Sequence, residues 1–166
     1  DGLEPAQAYQ IDLKAGTRTK LAGNPDVAIS GFMYEGLGGI PFAVTYNASK
    51  PSLQYINQNS EWAKLHASLM QAFPGSMLTF NSFSRDGNKV MLGVWSDRNI
   101  GSYYVYDRAS KQIQKIIDYK PWLKPEAMAQ TRPVEFTGKD GQKLFGFYTA
   151  KGPGPRPLIV MPHGGP

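Results

Sequence analysis

The sequence contains no cysteine and only two histidines, and this scarcity excludes several kinds of site. Without cysteine there is neither a disulfide framework nor thiol chemistry. His66 and His163 lie far apart in the chain, and neither has an acidic cluster beside it, so no metal-ligand spacing is present. The glycine-rich residues 36–39 lack the lysine and the strand-to-helix context that a phosphate loop requires. We therefore predict no metal and no cofactor.

Long apolar runs and blocks of like charge are also missing. No apolar run approaches the roughly 18 residues of a membrane-spanning helix, so we predict no membrane partner. The 18 Lys and Arg exceed the 13 Asp and Glu and give a net charge of +5, yet the two signs are interspersed along the chain. A dispersed excess of this kind is typical of a solvated surface, and we predict no nucleic-acid partner.

The start of the chain bears on its origin. The sequence begins at Asp1 rather than at Met and shows no signal peptide, so we expect it to begin inside a longer precursor. A protein without cysteine fits both the cytoplasm and the periplasm. The localisation stays open between the two, with the periplasm preferred.

The sequence favours β-strands and contains a repeat with a long period. Hydrophobic residues make up 41% and aromatic residues 12% of the chain, which favours a mainly β protein. Three β-rich runs close with Asp12, Asn57 and Asp107, at intervals of 45 (57 − 12) and 50 (107 − 57) residues. Repeats of about 40 to 50 residues built from short strands are typical of β-propeller blades. We predict that residues 1–118 form about two and a half blades of a partial β-propeller.

Each predicted blade has its own strand pattern. The first is represented by one hairpin, and the last has four strands with a Ser-Arg-Asp-Gly turn after the first of them. The middle blade has three strands and then a helical insertion over residues 59–73, since its apolar residues recur at spacings of three and four. His66 falls in this helix, where we expect it at the solvent edge. The predicted strands are residues 9–13, 17–21, 27–34, 40–46, 52–57, 77–83, 89–95, 102–106 and 112–117.

A proline-bearing connector and a second strand-rich region follow. Pro121 and Pro125 fix the backbone of residues 119–131, and we expect Trp122 and Leu123 to pack at a domain junction. Residues 132–149 have the alternation and the turn of a hairpin. Residues 158–161 are then apolar at every position, which predicts a strand buried on both faces, as in a parallel α/β sheet.

This apolar run ends in Pro162, His163, Gly164, Gly165 and Pro166. Glycines directly after a buried strand let the backbone turn sharply, so that main-chain N–H groups can point at a developing oxyanion. The hairpin, the Pro/Gly loop, the apolar run and the closing motif together resemble the start of the catalytic domain of the prolyl oligopeptidase family of serine peptidases. The likeness is greatest to its acylaminoacyl-peptidase and dipeptidyl-peptidase branches, and it is close over residues 122–166.

The resemblance implies that residues 132–166 are the first strands of an α/β-hydrolase domain. It places His163 and Gly164 in the loop that shapes the oxyanion hole, with the backbone as donor. Whether the His163 ring also contributes is open, since some branches have a tyrosine there that donates its hydroxyl. The family's Ser, Asp and His would all lie downstream of this chain. The resemblance therefore implies a serine peptidase that hydrolyses short peptides, of which these 166 residues are an inactive fragment.

Two other functions remain possible from the sequence. One is a non-catalytic propeller that binds protein partners, and the other is an esterase of the same fold, because fold does not separate peptide from ester hydrolysis. Incomplete blades expose strand edges, so we expect the remainder of the polypeptide or another chain to cover them, beside a peptide substrate. Asp97 and Arg98 could face the cavity between the two domains, but a loop ion pair is the preferred interpretation. Tyr103, Tyr104 and Tyr106 could stack on a ligand, but packing between neighbouring blades is the preferred interpretation.

Overall fold

The protein is mainly β, as the sequence predicts. The computed structural model describes residues 5–47 and 50–162. The helical segments are α1 (Glu61–Ala72) and a 3-10 turn at Pro125–Ala127. The strands are β1 (Ala8–Asp12), β2 (Thr17–Ala22), β3 (Gly31–Tyr34), β4 (Pro41–Tyr46), β5 (Ser52–Tyr55), β6 (Met77–Phe83), β7 (Lys89–Trp95), β8 (Ser102–Asp107), β9 (Gln112–Asp118), β10 (Thr131–Thr137) and β11 (Lys143–Thr149).

Every sheet is antiparallel and is built from strands that follow one another in the chain. Strands β1 and β2 form one hairpin, β3-β4-β5 a three-stranded sheet, β6-β7-β8-β9 a four-stranded sheet, and β10 and β11 a second hairpin. Within the described ranges none of these sheets closes on itself. The mainly β class is confirmed, and the finer assignment to a propeller and a hydrolase domain stays a prediction.

The four-stranded sheet is a meander whose first turn follows from its sequence. Ser84 Oγ donates to Asp86 Oδ1 over 2.5 Å, and the same carboxylate oxygen accepts from the Asn88 N–H over 3.0 Å. Gly87 completes the turn with a φ of +70°, a conformation that favours glycine. In β7 the alternate residues Val90, Leu92 and Val94 are buried, as expected of a strand with one face on the core.

Helix α1 lies between the three-stranded and four-stranded sheets. The sequence allows Asn59 or Ser60 to cap this helix, and Ser60 does so, since its Oγ accepts from the Ala63 N–H over 3.0 Å. Ala63 packs in a cluster with Met33, Phe42 and Ala43 of the three-stranded sheet. One turn and a half later, Leu69 packs against the buried residues of the four-stranded sheet. The helix therefore supplies the core that joins these two sheets. The buried residues of the four-stranded sheet in that cluster are Leu78, Val90, Leu92, Val94 and Tyr106.

The predicted hairpin is formed by β10 and β11 but buries little. Thr131 faces Thr149 at its open end and Thr137 faces Lys143 beside its turn. Phe136 and Phe147 remain 55% and 54% exposed. The connector is also uncovered: Trp122 is 70% exposed, so the prediction that it packs at a junction is wrong for the described residues.

Residues 158–161 do not form the predicted strand. They are in no sheet, and their side chains are between 71% and 87% exposed. The physical reason is that a central strand of a parallel sheet needs strands on both edges and helices on both faces. None of the described residues supplies either, so the apolar run has nothing to pair with or pack against.

Candidate functional site

The predicted oxyanion-hole residues, His163 and Gly164, lie outside the described residues, as do Gly165 and Pro166. Their role therefore stays a prediction. The described structure does contain a cleft of about 770 Å³ at one end of the four-stranded sheet. Its walls come from the loop before β5, the end of α1, the adjoining ends of β6 and β7, and the hairpin of β10 and β11. The cleft thus lies where the predicted blades meet the predicted start of the hydrolase domain.

The loop after β7 forms one wall of the cleft, and its own hydrogen bonds shape it. Ser96 Oγ accepts from the N–H groups of Arg98 and Asn99, over 3.2 and 3.1 Å. The Ser96 N–H in turn donates to the Asn99 carbonyl over 2.9 Å. Such serine-closed turns are common where a strand ends. Asp97 and Arg98 therefore occupy the tip of a defined turn.

Asp97 does not form the predicted ion pair with Arg98. Its Oδ2 instead accepts from the Thr131 N–H over 2.8 Å, and no ion pair joins the two side chains among the described contacts. A main-chain donor at the first residue of β10 can satisfy a carboxylate without ordering a long side chain, which an exposed ion pair requires. Asp97 thus ties the four-stranded sheet to the C-terminal hairpin.

The charge of the cleft is positive. Lys50, Arg98 and Arg132 line it, and Asp97 is the one acidic residue among its described lining residues. No carboxylate of residues 5–47 or 50–162 forms an ion pair with any of these three cations. The Arg132 guanidinium lies 4.9 Å from the centre of the Tyr148 ring. The cleft therefore offers cationic groups whose charge the described chain leaves uncompensated.

His66 is fully buried, so the expectation that it lies at the solvent edge of the helix is wrong. Its Nε2 lies 2.8 Å from the Leu78 carbonyl oxygen, which can only accept, so Nε2 carries the proton. Its Nδ1 then accepts from the Tyr55 hydroxyl over 2.8 Å. Burial lowers the pKa of His66, against a smaller opposing effect of the Leu78 hydrogen bond, and burial raises the pKa of Tyr55.

This geometry gives His66 a structural role. The ring joins β5, α1 and β6 through hydrogen bonds at both nitrogens. Phe42 and Phe80 lie against it, with ring centres 6.0 and 5.3 Å away. A general base must reach the proton that it takes, and this ring touches neither solvent nor the cleft. The helical spacing of Trp62 and Leu69 predicted the apolar face of α1. His66 can lie on that same face because both of its ring nitrogens form hydrogen bonds.

The tyrosines of β8 also serve packing. Tyr106 is buried in the core of the four-stranded sheet, and the Tyr104 ring lies 4.9 Å from the Phe73 ring at the end of α1.

In the described part of the chain, no group of three His, Cys, Asp or Glu side chains could hold a metal ion. No helix of the described residues has the length and apolar character of a membrane span. Comparisons of the chain with protein families, curated proteins and solved structures returned no match.

Proposed function

We propose that this chain is the propeller-to-hydrolase portion of a serine peptidase of the prolyl oligopeptidase type, acting on short peptides. In this proposal residues 1–118 are propeller blades, residues 119–131 the connector, and residues 132–166 the first strands of the catalytic domain. The observation that carries it is the order of a four-stranded meander, a connector, a hairpin and the His-Gly-Gly motif, with a 770 Å³ cleft where sheet and hairpin meet.

The chemistry of this chain would be the stabilisation of negative charge. Peptide hydrolysis by a serine passes through a tetrahedral intermediate whose oxyanion needs preorganised donors. The resemblance implies a main-chain donor in the loop of His163 and Gly164, and we propose the N–H of Gly164, whose lack of a side chain lets the backbone approach the substrate. The nucleophile, the base and the carboxylate that orients the base would lie after residue 166. The meander and the hairpin would restrict access to the reacting centre.

A fluorophosphonate probe tests the proposal, because it reacts with activated serines. The 166-residue chain and a protein that continues beyond residue 166 are treated side by side. We expect the longer protein to be labelled at one serine and the 166-residue chain to remain unlabelled. An unlabelled longer protein that is folded by circular dichroism would contradict the proposal. Hydrolysis of esters but not of peptides by a labelled protein would favour the esterase.

Two variants of the longer protein separate the possible oxyanion donors. Gly164→Pro removes the N–H, and the loss of one such donor lowers kcat by about 10²- to 10³-fold. His163→Ala keeps that N–H and removes only the ring, so we expect a much smaller loss. A larger loss in His163→Ala than in Gly164→Pro would assign the donor to the ring instead.

A further inference from the structure

We propose that the cleft beside Arg98 binds the carboxylate of a peptide ligand, with the Arg98 guanidinium as its main partner. The inference rests on the proposed peptidase function and specifies its substrate class. Free-acid peptides would be preferred over peptides whose carboxyl group is amidated. The argument depends on three features of the cleft: its charge, the fixed position of Arg98, and its apolar walls.

The charge of the cleft selects an anion. Three cationic side chains line it against one carboxylate, and that carboxylate, Asp97, already accepts the Thr131 N–H. An exposed cation without a carboxylate partner is common at a protein surface. Three of them around one concave site, with no described ion pair to any, leave a field that attracts negative charge.

The position of Arg98 is set by its neighbours. The Arg98 N–H donates to Ser96 Oγ, and so does the N–H of Asn99, three residues after that serine, in the same turn. On the other side Asp97 is fixed to the start of β10. The backbone of Arg98 is thus held from both directions, while its side chain forms no hydrogen bond or ion pair with the described residues. A planar guanidinium can then donate two parallel hydrogen bonds to a carboxylate.

The apolar part of the cleft favours an organic ligand over a simple ion. Met70, Met77 and Trp95 line it, together with Phe147, which is half-exposed on the hairpin. A volume of about 770 Å³ falls in the range of small-molecule and peptide sites. A peptide places apolar side chains and one terminal carboxylate within such a space. Free inorganic phosphate would use the charge alone.

Titration calorimetry with a matched peptide pair tests the inference. The acetylated tripeptide Ala-Ala-Leu is used as the free acid and as the amide, with the 166-residue chain. We expect the acid to bind about tenfold more tightly than the amide, the gain typical of one charged hydrogen-bonded pair. Arg98→Ala should abolish this difference, and Arg98→Lys should retain part of it. Inorganic phosphate should compete weakly.

The control variant is Arg85→Ala. Arg85 is also an exposed arginine, but it lies in the turn after β6, at the opposite end of the strand pair from Trp95. The acid-over-amide preference should persist in this variant. Equal binding of acid and amide, a preference that survives Arg98→Ala, or phosphate binding as tight as that of the acid would each overturn the inference.

The outcome is separable from that of the peptidase proposal. Labelling of the longer protein by the fluorophosphonate probe, together with equal binding of acid and amide, would reject the carboxylate site alone. A clear preference for the acid without any labelling would reject the peptidase and leave a peptide-binding cleft.

Discussion

The four-stranded sheet and the C-terminal hairpin share a pattern of alternating apolar residues but have different surroundings. Both contain strands with alternating apolar residues, and both pair in the register that their turns set. In β7, however, Val90 and Leu92 are fully buried, whereas in the hairpin Phe136 and Phe147 are more than half exposed. Helix α1 covers the sheet on one side, and no described element covers the hairpin in the same way. Strand formation thus follows from local pattern, while burial depends on a partner.

The largest expected difference concerns one leucine in each region. Leu92→Ala removes a fully buried side chain and leaves a cavity, which should lower the free energy of unfolding by about 2–5 kcal/mol. Leu144→Ala, in a hairpin strand where the side chain is 41% exposed, should cost about 1 kcal/mol or less. Urea denaturation measures both. Equal losses would show that the hairpin is as well packed as the sheet.

A second comparison uses two tyrosine hydroxyls. Tyr55→Phe leaves Nδ1 of buried His66 without its donor, and an unsatisfied buried acceptor costs about 1–3 kcal/mol. Tyr46→Phe removes a 2.7 Å hydrogen bond to Gln54, which is exposed and can bond water instead. Its cost should be well below that of Tyr55→Phe in the same denaturation experiment. A reversed order would contradict the structural role of His66.

Loss of the hydrogen bond that links the four-stranded sheet to the hairpin should have a smaller effect. Asp97→Ala removes the acceptor of the Thr131 N–H, and one such hydrogen bond contributes about 1 kcal/mol. Hydrogen exchange of the Thr131 amide should quicken, while exchange in β7 stays unchanged. The control is Asp26→Asn, which breaks the exposed ion pair with Lys143 and should change little. Unchanged exchange of the Thr131 amide in Asp97→Ala would contradict the hydrogen bond between Asp97 and Thr131.

A pH dependence should also arise from the buried region. The pKa of His66 is lowered in the folded protein, so at acid pH the unfolded chain binds a proton that the folded chain does not. Its contribution to stability is therefore full above the unfolded pKa of about 6.5 and is lost as the pH falls toward the lowered folded pKa. As the pH falls from about 7 to about 5, the free energy of unfolding should therefore decrease.

The chain has only one other histidine, which provides the control. His163→Gln should keep the decline and His66→Gln should abolish it. If His66→Gln does not fold, an NMR titration of the wild-type ring gives the same information. A His66 ring that becomes protonated near pH 6.5 in the folded protein would contradict its burial in the neutral form.

The sequence predicted the elements whose signals are local. The bounds of β6 and β7 and the Ser84 to Gly87 turn agree with expectation, because side-chain alternation and turn chemistry act over a few residues. The burial of His66 was missed, since it depends on Tyr55 and on the Leu78 carbonyl, which lie on other elements.

The cleft was equally hard to predict from sequence. Lys50, Arg98 and Arg132 are dispersed in the chain and meet only in the fold. The fate of residues 158–161 was also missed, because an apolar run predicts a buried strand only where neighbours exist. Asp97 attracted notice through its neighbour Arg98, yet its partner proved to be a backbone group 34 residues away.

Hydrogen exchange over residues 158–161 tests most directly whether the segment after the hairpin is exposed for want of a covering domain. We compare the 166-residue chain with a protein that continues beyond residue 166. The proposal predicts fast, unprotected exchange of these amides in the shorter chain. In the longer protein it predicts protection close to that of β7, since a central strand exchanges only when its domain opens. Fast exchange in both proteins would contradict the assignment of this segment to the core of a hydrolase domain.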